Sequence, residues 1–422
     1  MKQSKSTLMV QCSAAMMLWL CTSPLAAQPK VTGEVQFKLG IEVLIESKQH
    51  LIAGKRLGLI TNLTGTNAAG VSNVQLLKQA KQNLRVIFSP EHGFMASEEA
   101  GKKINGADSL SDVPVISLYG KTLRPTKTNL DSLETIIFDI QDVGTRCYTY
   151  ISTMKLAMQA CAEQGKIFIV LDRPNPISPL PADGFTLSEK FSSFVGIIPV
   201  PHLHRMTIGE LALMIHAEEL PTLNLTVVPM QNYNRDKFGD EQSNLSPRFI
   251  PPSPNIKSPD AEILYPATVF LEGTPVSEGR GTESPFEQFG SPFIVAAQIA
   301  DELNKYGLAG VRFESVSFVP ESIAGKSLSP KFEGRKCEGV RIHITDRNKI
   351  QPFAIGVAVL VTLKKLYPKE FVWLKGNFID KLAGTDELRR QVDDGKTFNE
   401  ILKSGRAGLE RFEQRRIKYL LY

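Results

Sequence analysis

The residues best suited to chemistry in this chain are acids that stand just past apolar runs. Glu91 and His92 lie in SPEHGF, residues 89–94, directly after LRVIF. Asp139 and Asp142 close TIIFDIQDVG, and Asp172, Arg173 and Asn175 close KIFIVLDRPNP. A further group, Glu272, Glu278, Arg280 and Glu283, stands among glycines in residues 270–290, where small residues let backbone approach a ligand. Many carboxylates with few cations suit acid/base work on a glycosidic bond. One protonated carboxyl hands its proton to the leaving oxygen while a second group attacks or stabilises the cationic sugar. A serine hydrolase is less supported, because no GxSxG elbow is present. A zinc hydrolase lacks HExxH, although a looser set of His92, Asp142 and His204 can be drawn. Neither a Walker loop nor a strand, GxGxxG and helix in sequence marks a nucleotide site.

Positioning these groups on one rim requires parallel strands. RLGLITN, LRVIF, VPVISLYG, TIIFDIQDVG, KIFIVLDRPNP and LTVVPM are short apolar runs that read as strands. VSNVQLLKQAKQ and YISTMKLAMQACAEQG have helical period and lie between them. Such βαβ units cross over right-handedly and build a parallel sheet covered on both faces, so ligands bind at its carboxyl edge. Asn62, Glu91, Asp139 and Asp172 would all emerge there. MTIGELALMIHAEEL predicts a helix with Thr207 as N-cap and Glu210 as its capping-box partner, and places His204 at its entry, facing a cleft. The prolines of RFIPPSPNIKSPDAEILYPAT predict a rigid, extended segment that fixes Ser253 and Asn255 as hydrogen-bonding groups. The polar stretch MASEEAGKKINGADSLSD, residues 95–112, is long enough to be a lid or substrate loop. Beyond residue 290 the pattern changes to an α+β unit with helices IVAAQIADELNKYG and FAIGVAVLVTLKKLYP and strands VRFESVSFVP and CEGVRIHITD. The expected organisation is therefore a parallel-sheet α/β domain over 28–290 and a smaller α+β domain over 291–422 that walls the cleft.

Size and charge agree with a two-part soluble enzyme. A chain of 422 residues exceeds what one core usually serves, and 42% hydrophobic with 22% charged residues is ordinary for a globular protein. A formal charge of +5 without a basic-aromatic stripe argues against nucleic acid, and Arg411, Arg415, Arg416 and Lys418 read as a solvated helix face. Lys2 and Lys5 precede an apolar segment from Ala14 to Leu20 and the small pair Ala26 and Ala27, the pattern of a secretory signal peptide over residues 1–27. That apolar segment is too short to span a bilayer, so the mature chain is expected to be exported, periplasmic or secreted, without stable membrane insertion. Cleavage would remove Cys12 and Cys21. Cys147 and Cys161, if on one helix, stand about 20 Å apart, beyond disulfide reach. They and Cys337 read as buried small residues, and no metal or cofactor is expected.

Six ordered motifs carry a family resemblance: SPEHGF, FDIQDVGTRCYTYIST, VLDRPNP, HRMTIGEL, PPSPN and FLEGTPVSEGRGT. Together, from about Leu57 to the terminal YLLY, the chain resembles the exo-β-N-acetylmuramidase family, long catalogued as a domain of unknown function. The resemblance implies a Rossmann-like large domain without nucleotide, a smaller C-terminal domain and an active cleft between them. It implies release of N-acetylmuramic acid from the non-reducing end of peptidoglycan fragments. Glu91 then matches the general acid, with His92 beside it; either the substrate's own acetamido oxygen attacks, oriented by a carboxylate such as Asp139, or Glu278 is the nucleophile or base. Asp142, Arg146, Tyr148, Asp172, Arg173 and Asn175 would line the sugar site, with Asn62, His204, Ser253 and Asn255. Arg280 would clamp the lactyl carboxylate of muramic acid. The chain departs from the family at Arg205, where a glycine is usual, which bears on the wall near His204. Two other classes share these residues: an exported muropeptide- or sugar-binding protein without turnover, and a metal-dependent or ester hydrolase.

Overall fold

Side-chain alternation along the strands explains why both sheet faces are covered. In β1 (Leu57–Thr61), β2 (Leu84–Ser89), β4 (Thr135–Asp139) and β5 (Ile167–Leu171), residues Leu57, Leu59, Ile87, Ile137, Ile169 and Leu171 face one core. Their neighbours Ile60, Val86, Phe88, Ile136, Phe138, Phe168 and Val170 face the other. With β3 (Val115–Ser117) and β6 (Asn224–Val228) they form a six-stranded, wholly parallel sheet in the order β3-β2-β1-β4-β5-β6. This is the Rossmann-like order expected from the resemblance, and its switch point lies between β1 and β4. The computed structural model describes residues 36–95, 112–242 and 249–422. The signal-peptide reading lies outside the described residues, as does nearly all of the polar stretch read as a lid.

Helix α1 (Gly40–Ser47) and α2 (Asn73–Gln79) pack on the first face. The short α3 (Lys127–Leu130) precedes β4, and α4 (Tyr150–Glu163) and α5 (Ile208–Glu219) cover the second face. Thr207 caps α5 in the predicted capping box, its Oγ1 accepting from Glu210 N while the Glu210 carboxylate accepts from Thr207 N. The proline-rich segment departs from the extended reading. Its second half is the helix α6 (Pro259–Thr268), because Ser258 caps it, Pro259 occupies the first turn where no N–H is needed, and Pro266 sits inside it.

The second part is a three-stranded antiparallel sheet, β7-β9-β8, made from β7 (Gln288–Ser291), β8 (Val311–Phe318) and β9 (Cys337–Ile344). Helix α7 (Ala296–Asn304) lies on β8 and β9, and the almost wholly buried α8 (Pro352–Leu366) packs against α6 and α7. Four shorter helices follow: α9 (Phe378–Ala383), α10 (Glu387–Asp393), α11 (Phe398–Ser404) and α12 (Arg406–Arg416). Cys147, Cys161 and Cys337 are buried free thiols, as read. No helix among the described residues is long and apolar enough to cross a membrane.

Candidate active site

The loop after β2 turns sharply at its acid. Gly93 N donates to Pro90 O at 3.1 Å, and His92 and Gly93 both take left-handed backbone, φ 71° and 75°. A left-handed histidine is strained, which is tolerated where surrounding structure fixes it. Glu91 is 6% exposed. Its Oε2 accepts from Thr149 Oγ1 at 2.7 Å, one residue ahead of α4. Tyr119, just past β3, hydrogen-bonds the same carboxylate; burial, the Glu91 charge and that bond push its phenol up to about 12, so it stays a proton donor at neutral pH. No motif marks Tyr119 in the sequence. Its signal was its place at the exit of an edge strand.

The exit of β1 joins this group through α4. Asn62 Nδ2 donates to Tyr150 Oη at 2.8 Å, and the same hydroxyl donates to Pro252 O. Asn62 Oδ1 accepts from Thr64 N and Thr64 Oγ1. Tyr148 stands edge-on to Tyr150 and to Tyr265, at centroid distances of 4.8 and 5.8 Å, with Ser253 beside its hydroxyl. Asp142 is also close: its Oδ2 accepts from Gly144 N at 2.8 Å, its Oδ1 is buried without a partner among the described residues, and burial pushes its carboxyl up to about 7. Gly144 has φ 80°, and a Cβ there would fall 2.2 Å from Asn175 Oδ1, so the turn demands glycine.

The ring run continues from Tyr265 to Phe286, centroids 4.9 Å apart, over which the Arg280 guanidinium sits at 5.0 Å. Arg280 bridges Glu272 at 2.8 Å and Glu278 at 3.2 Å. Lys331 meets Glu278 at 3.1 Å and donates to Leu271 O and Val276 O. Burial opposes ionisation of Glu278, but Lys331 and Arg280 outweigh it and hold the carboxyl below its usual range. This group is thus an ionised carboxylate between two cations. Arg280 is spent on two carboxylates rather than left open as a clamp.

Several residues expected to line the site are instead internal ties. Asp139 is fully buried, its Oδ1 bound to Arg173 Nε at 2.6 Å and its Oδ2 to Asn73 Nδ2 at 2.9 Å, so it has no surface to offer a substrate. Arg173 also donates to Thr66 O at 2.8 Å. Asp172 accepts from Arg173 N, Gly209 N, Thr207 Oγ1 and Tyr422 Oη, which leaves it wholly inside. Asn175 donates to Met206 O and accepts from Ile177 N, while Asn255 donates to Lys326 O. Arg146 spans three segments, donating to Phe185 O, Val200 O and Leu382 O.

His204 does not face a cleft. It is completely buried, its Nδ1 accepts from Met206 N, and burial beside Arg146 lowers its basicity to about 3, so it is neutral. The departure at Arg205 has a backbone meaning: φ is 55°, the left-handed region where glycine is free and arginine strained. Its guanidinium lies outward on Ser178 O and Asp236.

Comparison with known proteins identifies the family. The family model described as exo-β-N-acetylmuramidase NamZ matches in its N-terminal part over residues 57–260 and in its C-terminal part over 263–422. The chain is 40% identical over 399 residues to the peptidoglycan β-N-acetylmuramidase NamZ of Bacillus subtilis, covering 94% of this chain and 92% of that protein. Crystal structures of two DUF1343 family proteins from Bacteroides fragilis are similar in fold, with TM-scores of 0.82 and 0.73 at 35% and 32% identity, each comparison covering 92% of this chain and 99% of the other. The chain belongs to the exo-β-N-acetylmuramidase family.

Proposed function

We propose that this chain is an exo-acting glycosidase that releases N-acetylmuramic acid from the non-reducing end of peptidoglycan fragments, with Glu91 as its general acid. The observation that carries the reading is the setting of Glu91. A largely buried carboxyl stands at the carboxyl edge of a parallel sheet, oriented by Thr149 and Tyr119, in a chain of a muramidase family. General acid catalysis needs such an oriented group within reach of the leaving oxygen. Tyr119 and Thr149 fix its direction and leave the proton transfer to Glu91.

The second role divides between Glu278 and the substrate. Two cations on Glu278 weaken it as a nucleophile, while its charge suits stabilisation of a cationic sugar at a distance. The acetamido oxygen of the substrate is then the attacking group, with Tyr148 and Ser253 as neighbours able to orient it. Asp139, closed off by Arg173 and Asn73, takes no part in this reading. Export through the leader read in residues 1–27 brings the enzyme to its polymer.

The test is incubation of the mature protein with a chromogenic β-N-acetylmuramide alongside the matching glucosaminide. Hydrolysis of the muramide is expected, and hydrolysis of only the glucosaminide overturns the assignment. Glu91→Gln is expected to lower kcat by about 10²- to 10⁴-fold on a poorly leaving aryl group and far less on a strongly leaving one. Equal losses on both would remove Glu91 from the acid's role.

A further inference from the structure

A cavity of about 300 Å³ opens at the carboxyl edge of the sheet beyond the ends of β1, β4 and β5. Thr64, Gln141, Arg173, Asp240, Phe249 and Glu262 are among its walls. Glu262, on α6, is 6% exposed and has no hydrogen-bond or ion-pair partner among the described residues. A buried carboxyl without a partner is costly, and such groups persist where a ligand completes them. A chain of hydrogen bonds ties the cavity's wall to the Glu91 group. Thr64, in its wall, bonds Asn62, Asn62 bonds Tyr150, and Tyr150 follows the Thr149 that holds Glu91.

We propose that this cavity is the subsite for an uncharged sugar ring, the glucosaminyl unit from which the muramyl unit is cut, and that Glu262 recognises its hydroxyls. The proposal rests on the muramidase reading and adds the leaving-unit site to it. Three features select this ligand. The charges around the cavity are already paired, Arg173 with Asp139 and Asp240 with Arg347, so a phosphate or a lactyl carboxylate finds no free cation there among the described residues. In a polymer that alternates anionic muramyl and neutral glucosaminyl units, the cavity therefore favours the neutral one. Burial, then Asp240 and Asp142, raise the Glu262 carboxyl well above its usual range against the pull of Arg347, and in its neutral form it can both donate to and accept from hydroxyls. Phe249, Pro174 and Pro176 supply apolar surface for a ring face.

The experiment compares wild type, Glu262→Leu and Glu262→Gln on two substrates, a muramyl-glucosaminyl disaccharide and an aryl β-N-acetylmuramide that lacks the second sugar. The ratio of kcat/KM on the disaccharide to that on the aryl substrate is expected to fall about tenfold in Glu262→Leu, equivalent to about 1.4 kcal/mol. Glu262→Gln, which keeps a donor and an acceptor, is expected to hold that ratio within about threefold of wild type. An unchanged ratio in Glu262→Leu overturns the subsite while leaving the muramidase reading intact. Failure of wild type to cleave either substrate overturns both. Should Glu262→Leu not fold, calorimetric titration of wild type with N-acetylglucosamine and with N-acetylmuramic acid decides. Saturable binding in which the neutral sugar is preferred supports the subsite, and no binding or preference for the acid overturns it.

Discussion

Replacing Arg146 with methionine is expected to unfold the protein more easily without disabling its chemistry. The guanidinium is buried, with Nη1 donating to Phe185 O at 2.6 Å and Val200 O at 3.0 Å and Nη2 to Leu382 O at 2.9 Å. Burial lowers its pKa only to about 10, so at neutral pH a charged donor holds three carbonyls from separate segments. Methionine leaves each carbonyl unpaired, at about 1–3 kcal/mol apiece. Against this stands relief from burying a charge, worth several kcal/mol in the other direction. The net loss expected is about 3 kcal/mol, and Arg146→Lys should recover little of it, because one ammonium lacks the planar fork that reaches both sides. Gly384 gives an independent check. It has φ 76°, and a Cβ there would fall 2.6 Å from Arg146 Nη2, so Gly384→Ala should destabilise through the same contact. Urea unfolding at pH 7 measures the loss, and kcat/KM per folded molecule on the aryl muramide reports any effect on substrate. A loss under about 1 kcal/mol with a KM raised more than tenfold would refute this reasoning and return Arg146 to the sugar site.

Tyr422→Phe removes one donor from Asp172 Oδ2 and the acceptor of Met230 N, at 2.8 and 2.6 Å, and should cost about 1–3 kcal/mol in a urea titration; a cost below 0.5 kcal/mol would mean the C-terminal tyrosine is not a latch. Asp142→Asn should stabilise the protein increasingly with pH. Burial raises the folded carboxyl from 3.8 to about 7, so the native state holds an extra proton between about pH 4 and 7, and that contribution is lost as pH rises through this window. The asparagine keeps an acceptor for Gly144 N and carries no such loss, so its advantage should grow by about 1.4 kcal/mol per pH unit, and parallel unfolding midpoints for the two proteins from pH 4.5 to 6.5 would contradict it.

Much of the large domain was legible because its signals are local. Apolar runs of five residues, helical periods between them and the Thr207 capping box depend on neighbours in sequence, and each stands where it was read. Strand order was less visible, since parallel pairing is set by helices packing on both faces rather than by the strands themselves. At the site, the sequence placed polar groups at the strand exits but could not separate those facing the crevice from those tying loops together. Asp139 and Arg173 are 34 residues apart, Asp172 and Tyr422 are 250 apart, and Arg146 and Leu382 are 236 apart. Each pair consumes what looked like free charge. Glu262 is hidden in the sequence for the opposite reason. On a helix it resembles an ordinary surface acid, and only the fold of residues 249–262 over the sheet edge buries it. The signals for α6 were nonetheless present, in a serine cap followed by proline at the first helical position.

The strand order also explains how one topology can leave nucleotides and take sugars. In dinucleotide-binding sheets the turn after the first strand exposes backbone N–H groups at a helix start, and a pyrophosphate sits on them. Here that turn is occupied by its own chain. Gly65 packs so tightly that a Cβ would fall 2.2 Å from Thr61 Oγ1 and 2.3 Å from Asn73 Nδ2. Asn73 binds Thr61 and Asp139, Ser72 accepts from Gln75 N at the start of α2, and Arg173 neutralises Asp139. The donors that would hold phosphate are therefore used within the protein, and the charges beside the adjoining space are paired as well, Arg173 with Asp139 and Asp240 with Arg347. A phosphate there finds few free donors, whereas a neutral ring meets the unpartnered Glu262 carboxyl, which can exchange hydrogen bonds with hydroxyls. The switch point remains the place where the fold opens, and the side chains closing its first turn decide which ligand chemistry the opening accepts.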